Sequence, residues 1–544
     1  MLVAEAVGRA LPALGVDVVF GLMGSGNLAV TNAMRDGGAR FYSARHEGGA
    51  ICMADGYARV TGRMAACSVH QGPGLTNTVT GLTEAAKSRT PLIVLAPEPP
   101  SAALRSNFRI DQVGLVEAVG ATAERVHAPA TAVRDVARAV RRARVERRTV
   151  VLMLPLDVLA AECPYAELPA DGPALDAPAP AASAVRAVAD LLAGARRAVL
   201  VAGRGAALAG AGPSLRALGE LTGALLATSA VANGLFAGDP YDLGIAGGFA
   251  SPLAAQLLAE ADTVVAFGAS LNQWTTRHGT LPGQDATVVQ VDLDAEAIGA
   301  HRPVDIGVVG DAAATAEALA AVLGEREPAT WRTPELAEQI AARRWRDEPF
   351  DASTAPGVLD PRTLTIALDD LLPAERTVVV DSGAFMGWPS MYLGVPDAAG
   401  FVFPQAFQCV GLALGNAIGA AIARPDRLTV AAVGDGGALL ALSEFETLGR
   451  LGLPLLVVIY NDAAYGAEVH HFAPMGEAVD LAQFPDTDFA ALGQATGSRG
   501  LTARSLEDLD GVRDWLAVRD RALVLDAKVD PTICGEWLEE AFRH

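Results

Sequence analysis

The sequence predicts an α/β protein built from three doubly wound parallel-sheet domains, and three observations predict it. Short continuous apolar runs, rich in β-branched residues, recur along the chain and alternate with alanine- and leucine-rich helical stretches. Such runs, unlike alternating ones, suit strands covered on both faces, as parallel sheets between helices are. Two proline-rich stretches, Pro164 to Pro180 and roughly Pro328 to Pro361, divide the 544 residues into units that each suit one hydrophobic core. With 51% hydrophobic and 19% charged residues, the composition fits well-buried domains and argues against disorder.

Taken in order, the units are residues 1–163, 181–327 and 356–544. The opening segment MLVAEAVGRALPALGVDVVFG has acids and no basic flank before its apolar part, so no signal peptide is expected. Strands are expected at VDVVFG, AACSVHQ and PLIVLAP in the first unit. The second offers RAVLVAG, DTVVAFG and TVVQVDL, and the third RTVVVDSG, LTVAAVGD and PLLVVIYND. The first and third units share one strand–helix rhythm. In such sheets a ligand sits beyond the carboxyl ends of the strands, so chemistry is sought immediately after each one.

Composition also excludes classes. A formal net charge of −21 repels nucleic acid and anionic membrane. The richest basic run, Arg134 to Arg148, is expected to be one solvated helix face. No apolar run is long enough to span a bilayer. Lys87 and Lys528 are the only lysines, which argues against Schiff-base chemistry. The five cysteines lack CxxC spacing and are expected to be reduced, mostly buried thiols of a cytoplasmic protein.

The strongest chemical signal lies between Arg427 and Gly466. One strand ends in Gly434-Asp435-Gly436-Gly437, a helix follows, and a second strand ends in Asn461-Asp462. A strand–helix–strand unit closes by a right-handed crossover, and neighbouring strands lie about 4.8 Å apart. Asp435 and Asp462, 27 positions apart, then sit at tips that can share one ion. A few hard oxygen ligands suit Mg²⁺, with phosphate and water completing an octahedron. The glycines let backbone N–H groups approach a phosphate at the helix start. Read alone, GDGG is only a turn with Asp435 as a cap; the second tip makes the metal–diphosphate reading the stronger.

This segment resembles the diphosphate-binding motif of thiamine-diphosphate-dependent enzymes of the acetohydroxyacid synthase, benzoylformate decarboxylase and benzaldehyde lyase type. The resemblance spans essentially the whole chain, in the order pyrimidine-binding, middle and diphosphate-binding domain. It implies Asp435, Asp462 and the Ala464 carbonyl as metal ligands for Mg²⁺ or Ca²⁺; Asp462 stands where the family usually has Asn. It implies diphosphate contacts from Ser382, Ala384, Gly434, Gly436, Gly437, Tyr465 and Gly466. The stretch Gln408-Cys409-Val410-Gly411 resembles the pyrimidine-holding loop, with Gln408 giving backbone contacts and Val410 wedging the cofactor into its bent form. Ala44-Arg45-His46-Glu47, followed by GYAR at Gly56 to Arg59, resembles the stretch that carries the activating glutamate. A carboxylate at the pyrimidine ring favours the tautomer that can take the thiazolium C2 proton. Glu47 is therefore expected to be that acid. Because family members divide each site between two subunits, a homodimer or homotetramer is implied.

Ser25, His70 and Gln112 fall where relatives have pocket residues: Ser25 and His70 resemble benzoylformate decarboxylase positions, and Gln112 a benzaldehyde lyase one. A serine can orient a substrate carboxylate and a histidine can relay protons. His470 and His471 follow the metal motif, where relatives carry a helix closing the pocket. The implied activity is a decarboxylase or carboligase acting on a 2-oxo acid or aldehyde. The alternative is an acetolactate synthase-like transferase, although AYGAEVHHF lacks that enzyme's tryptophan and GASLNQWTT its flavin-contacting arginine. FAD, for which Gly203-Arg204-Gly205 is the candidate segment, is thus not favoured. A dinucleotide-dependent dehydrogenase remains a weaker competitor on Gly24-Ser25-Gly26-Asn27-Leu28-Ala29, which satisfies GxGxxA but leaves the GDGG and Asn461-Asp462 tips unexplained. Gly81 to Ser88 nearly matches a P-loop but has Ala86 where the second glycine must be, and is rejected.

Overall fold

A computed structural model describes residues 1–165 and 176–542, apart from the side chain of residue 540. The apolar runs form three six-stranded sheets in which every pairing is parallel. The first holds β1 (Val18–Gly21), β2 (Arg40–Ser43), β3 (Ala65–Ser68), β4 (Leu92–Glu98), β5 (Thr122–Arg125) and β6 (Thr149–Pro155), in the order β2-β1-β3-β4-β6-β5. The second holds β7 (Ala198–Ala202), β8 (Leu225–Thr228), β9 (Asp242–Ile245), β10 (Thr263–Phe267), β11 (Thr287–Asp292) and β12 (Ile306–Val309), ordered β12-β11-β10-β7-β8-β9. The third holds β13 (Arg376–Val380), β14 (Phe401–Val402), β15 (Leu428–Gly434), β16 (Leu456–Asn461), β17 (Arg499–Ala503) and β18 (Leu523–Lys528), ordered β14-β13-β15-β16-β18-β17.

The shared rhythm of the first and third units is therefore a shared topology: counted from its own first strand, each sheet runs 2-1-3-4-6-5. Each changes direction beside its first strand, between β1 and β3 and between β13 and β15, and such a switch point opens a crevice at the carboxyl ends. The central strands β3, β6, β13 and β16 are buried throughout, and β4 up to its last residue, as doubly covered strands require.

One contact unites the first and third units. Helix Glu47–Thr61 packs on helix Ala413–Ala423, and the core runs continuously from Ile51 and Met53 to Leu414, Ile418 and Val433. The backbones approach so closely that a Cβ on Gly56 would stand 2.1 Å from the Asn416 carbonyl oxygen, and one on Gly419 2.0 Å from that of Met53. Only glycine fits at such distances.

Helix Ala132–Val145 buries Val136, Ala139, Val140 and Ala143, while the exposed Arg138 and the half-buried Arg142 reach over to the buried Glu124; the basic run is a solvated helix face. Gly81 to Ser88 lies almost wholly within helix Val79–Lys87, which removes any P-loop. Of the first proline-rich stretch, residues 166–175 lie outside the described residues. The second is not a bare linker. It carries helix Pro334–Ala342, capped by Thr333, whose Leu336 and Ile340 pack on the middle unit. Among the described residues no helix is long and apolar enough to cross a membrane.

Candidate active site

The crevice of the third sheet gathers the carboxyl ends of β13, β15 and β16 in one part of a cavity of about 2610 Å³ that also reaches the first and middle units. Asp435 opens the short helix Asp435–Leu440 directly after β15, and Asp462 follows β16, which pairs with β15 in register Gly434 to Tyr460. The two carboxylates face each other inside the protein. Burial, and for Asp435 also the facing Asp462, raises both pKa values above the ordinary carboxylate range. Two buried acids held together are an unfavourable arrangement that a cation relieves.

The turn after β16 is tightly fixed. Asn461 Oδ1 accepts from Ala463 N (3.1 Å) and Asp462 Oδ1 from Ala464 N (3.2 Å), with Ala463 at φ +55°. Ala464 bridges Gln483, but the bonds come from the flanking residues: Tyr465 N donates to the Ala482 carbonyl and Phe484 N to that of Ala463. The Ala464 carbonyl takes no part in that pairing. Asn461 is spent on structure, its amide donating to Asp526 Oδ1 (2.9 Å). Two carboxylates and one backbone carbonyl make three hard oxygens, a donor set suited to Mg²⁺ or Ca²⁺ only when phosphate or water supplies the rest. No cluster of three or more His, Cys, Asp or Glu able to hold a metal occurs among the described residues.

The same cleft is lined by Ser382, Ala384, Gln408, Val410, Gly434, Gly436, and beside them Gly437, Ala464, Tyr465 and Gly466. Its glycines are required by close neighbours. A Cβ on Gly436 would lie 2.5 Å from Tyr465 Cε1, one on Gly437 2.4 Å from Asp381 Oδ2, and one on Gly466 2.3 Å from Asp462 Oδ2. Gln408 is held at φ +53° and Gly411 at φ +91°, so the segment that carries Val410 is a strained projection.

Two site-building acids went unnoticed in the sequence. Asp381, at the tip of β13, is none of the site residues read from the sequence. Its buried carboxylate accepts from Gly411 N (2.9 Å) and Leu412 N (3.2 Å) and so ties the 408–411 segment to the sheet. Burial pushes its pKa up to about 6, and those N–H bonds act against that rise. The rule that sheet chemistry sits at strand tips was the signal, since Asp381 obeys it as Asp435 does. Glu444, buried on helix Ser443–Leu451, accepts from His46 N (2.9 Å) and Arg45 N (3.4 Å), fixing the entry to helix Glu47–Thr61. An isolated helical acid carries no sequence signal for such a contact.

The remaining candidates gather at the first sheet. Glu47 begins helix Glu47–Thr61 four residues after β2, capped by His46, and its Oε2 accepts from Asn77 Nδ2 (2.9 Å). Ser25 follows β1 and His70 follows β3, with 3.2 Å between Ser25 Oγ and His70 Nε2. His70 Nδ1 lies 2.9 Å from the Gln71 carbonyl, which can only accept, so Nδ1 carries the proton and Nε2 accepts from the serine hydroxyl. Gln112 is elsewhere engaged. At 2% exposure its oxygen accepts from Gly72 N (3.0 Å) and its amide donates to the Pro97 carbonyl (3.1 Å), so it holds a turn instead of facing an open pocket.

None of Ser25, Glu47, His70 or Gln112 lines the cleft of Asp435 and Asp462. His470 does line it, half-buried, with burial lowering its pKa; His471 stacks on Phe542 at 3.8 Å between ring centroids.

Three family models match the chain in sequence order. Residues 1–115 match the N-terminal TPP binding domain of thiamine pyrophosphate enzymes, residues 185–319 the central domain, and residues 381–527 the C-terminal TPP binding domain. The chain belongs to the thiamine pyrophosphate (thiamine diphosphate) enzyme family. It is 31% identical to a sulfoacetaldehyde acetyltransferase of Rhodobacter capsulatus, over 100% of this chain and 96% of that one. It is 30% identical to an acetolactate synthase of Mycobacterium bovis (96% and 87%) and 31% identical to a probable 2-ketoarginine decarboxylase of Pseudomonas aeruginosa (93% and 90%). Its fold is that of a thiamine diphosphate-dependent 4-hydroxybenzoylformate decarboxylase of Rhodococcus jostii, with a TM-score of 0.83, 22% identity, and 98% and 100% of the two chains covered. The protein is a thiamine diphosphate-dependent enzyme acting on carbon–carbon bonds.

Proposed function

We propose that this enzyme is a decarboxylase or carboligase of a 2-oxo acid or aldehyde, and that it uses thiamine diphosphate with Mg²⁺ or Ca²⁺. The observation that carries the reading is the facing pair Asp435 and Asp462 beside a glycine-lined cleft. When bound, the cofactor supplies a carbon nucleophile and an electron sink for making or breaking a bond beside a carbonyl. In this reading Asp435, Asp462 and the Ala464 carbonyl hold the metal. Ser382, Ala384, Gly434, Gly436, Gly437, Tyr465 and Gly466 surround the diphosphate, while Gln408 and Val410 hold the pyrimidine. Residues 1–163, 181–327 and 356–544 are then the pyrimidine-binding, middle and diphosphate-binding domains.

Glu47 is the acid that polarises the pyrimidine, and it belongs to the other half of the site. Since it does not line the cleft of its own chain, we assign it to the cleft of a second copy, in a homodimer or a homotetramer made of such pairs. Exposed apolar side chains support this pairing. Met23, Leu28, Leu104, Phe108 and Ile110 are exposed in the first unit, and Leu440, Tyr465, Phe472, Met475 and Leu481 in the third. Where such side chains lie together they suit an association surface. Ser25 and His70 then form a relay: the imidazole takes the serine proton or passes one to a substrate carbon. His470, on the helix that closes the cleft, is a second proton carrier within reach of the substrate.

The partner molecule is a small anionic or carbonyl substrate, and the net charge of −21 disfavours nucleic acid and membrane partners. Five free cysteines agree with a cytoplasmic location. A flavin is not favoured, because the stretch GASLNQWTT carries no arginine at the flavin-contacting place. An acetolactate synthase-like acyl transfer is the second reading, favoured by the 30% identity to an acetolactate synthase.

Incubation of the purified protein, thiamine diphosphate and MgCl₂ with pyruvate, benzoylformate and aldehydes tests the class. Release of CO₂ or appearance of a ligated hydroxyketone is expected. Silence towards all of them contradicts it.

A further inference from the structure

The segment that carries Val410 is gripped from a direction the cofactor reading does not use. Arg59, from helix Glu47–Thr61, and Glu84, from helix Val79–Lys87, belong to the first unit of the same chain and line no part of the cleft. Both are almost wholly buried, and they pair at 2.7 Å. Asp55 Oδ2 accepts from Arg59 Nε at 2.9 Å, so the guanidinium sits between two acids. The ion pair reaches the third unit at two backbone points. Glu84 Oε2 accepts from Phe407 N at 2.7 Å, and Arg59 Nη1 donates to the Phe403 carbonyl at 3.4 Å. Lys87 adds its ammonium over the Phe407 ring, 5.8 Å from the centroid.

Only residues 408–410 separate this grip from the one that Asp381 exerts on Gly411 and Leu412. The three residues include Gln408 at φ +53°, a conformation that must be held from outside to persist. A charge-assisted bond inside the protein is the strong kind, and leaving the Phe407 N–H without it is costly.

We propose that Glu84, fixed by Arg59, is a positioning residue for the Gln408–Val410 segment, setting where Val410 stands in the cleft. The inference rests on reading that segment as the pyrimidine holder and adds the device that keeps it in place. One carboxylate does two things at once: Oε1 takes Arg59 and the Ser88 hydroxyl (2.9 Å), leaving Oε2 for Phe407. An amide cannot replace it, since its NH₂ must confront either the guanidinium or the Phe407 N–H, both of which are donors.

The test uses the full chain loaded with thiamine diphosphate and Mg²⁺, without substrate. Three quantities are read: the cofactor Kd, the thermal midpoint, and the rate at which the bound cofactor's C2 proton exchanges with deuterium. Glu84→Gln is expected to slow exchange at saturating cofactor by about tenfold or more, since small misplacements are costly for such steps. Its Kd should stay within about threefold of wild type, because the metal and diphosphate contacts are untouched. Ser88→Ala removes a bond to the same ion pair without touching the segment, and it should lower the thermal midpoint while leaving exchange within about twofold. Should Glu84→Gln not fold, Glu84→Asp carries the same expectation: it keeps the charge beside Arg59 but is one methylene short of Phe407. Unchanged exchange in the folded Glu84 variant, or an equal loss in Ser88→Ala, overturns the proposal. Val410→Ala separates the two layers. If it slows exchange while the Glu84 variant does not, only this inference fails; if it leaves exchange unchanged, the reading of the segment fails with it.

Discussion

The first and third sheets have the same strand order and the same crevice, yet they present opposite surfaces there. At the third sheet the tips of β13, β15 and β16 carry three aspartates, Asp381 and Asp435 buried and Asp462 half-buried, with Gly437 and Gly466 packed so closely on Asp381 and Asp462 that no side chain fits. At the first sheet the tips carry Ser25, Glu47 and His70, polar groups that are wholly or partly exposed and turned towards one another and Asn77. On the function proposed above, one topology thus supplies two kinds of half-site. The first is desolvated and rigid, with negative charge that demands a cation. The second is open, and its groups lack a covering surface within their own chain. Duplicated geometry fixes where chemistry sits, and the residues at the strand tips decide what it is.

The largest expected effect breaks the third-sheet half. Asp435→Asn removes one of two facing carboxylates, and Mg²⁺-dependent cofactor affinity should fall by on the order of 100-fold, as measured by calorimetric titration. The cofactor-free protein should meanwhile melt no lower than wild type, because a buried like-charge contact is gone. Glu47→Gln breaks the other half differently. Cofactor affinity should hardly change, while C2 proton exchange in the bound cofactor falls by roughly 10²–10⁴-fold, the usual worth of a positioned acid or base.

Gly437→Ala sharpens the comparison by adding one methyl group. With its Cβ 2.4 Å from Asp381 Oδ2, the variant should lose about 1–3 kcal/mol of stability in denaturant unfolding. The smallest effect concerns pH. Burial raises the folded pKa of Asp381 to about 6 from an unfolded value near 3.8. Between those values the native state binds more protons than the unfolded one, so this group's contribution falls as pH rises towards 6 and is level above it. Unfolding curves for Asp381→Asn should therefore lack that slope between about pH 4 and 6.

Much of this was legible in the sequence. β13, β15 and β16 are uninterrupted apolar runs, and each ends in a turn whose residues announce themselves: DSG, GDGG and NDAA. Edge strands such as β5 and β17 are short and only partly buried, so neither apolar pattern marks them. Gln112 shows the limit of reasoning by position, because its neighbours in sequence do not reveal that Gly72 and Pro97 consume its amide. Glu84 lay inside a rejected P-loop look-alike, and its contact with Phe407 spans 323 residues. Long-range bonds from a buried acid leave no trace in local spacing. Helix Pro334–Ala342 was hidden by the prolines around it, although a proline in a helix's first turn is compatible with the fold.

The central claim is that the open half-site of one chain completes the desolvated half-site of another, and mixing two crippled variants tests it most directly. Glu47→Gln and Asp435→Asn proteins, each deficient in C2 proton exchange alone, are unfolded together and refolded as a mixture. Random pairing should restore exchange to about a quarter of the wild-type rate, because each hybrid dimer regains one intact site. Hybrid dimers that form yet stay as inactive as either parent would contradict the account.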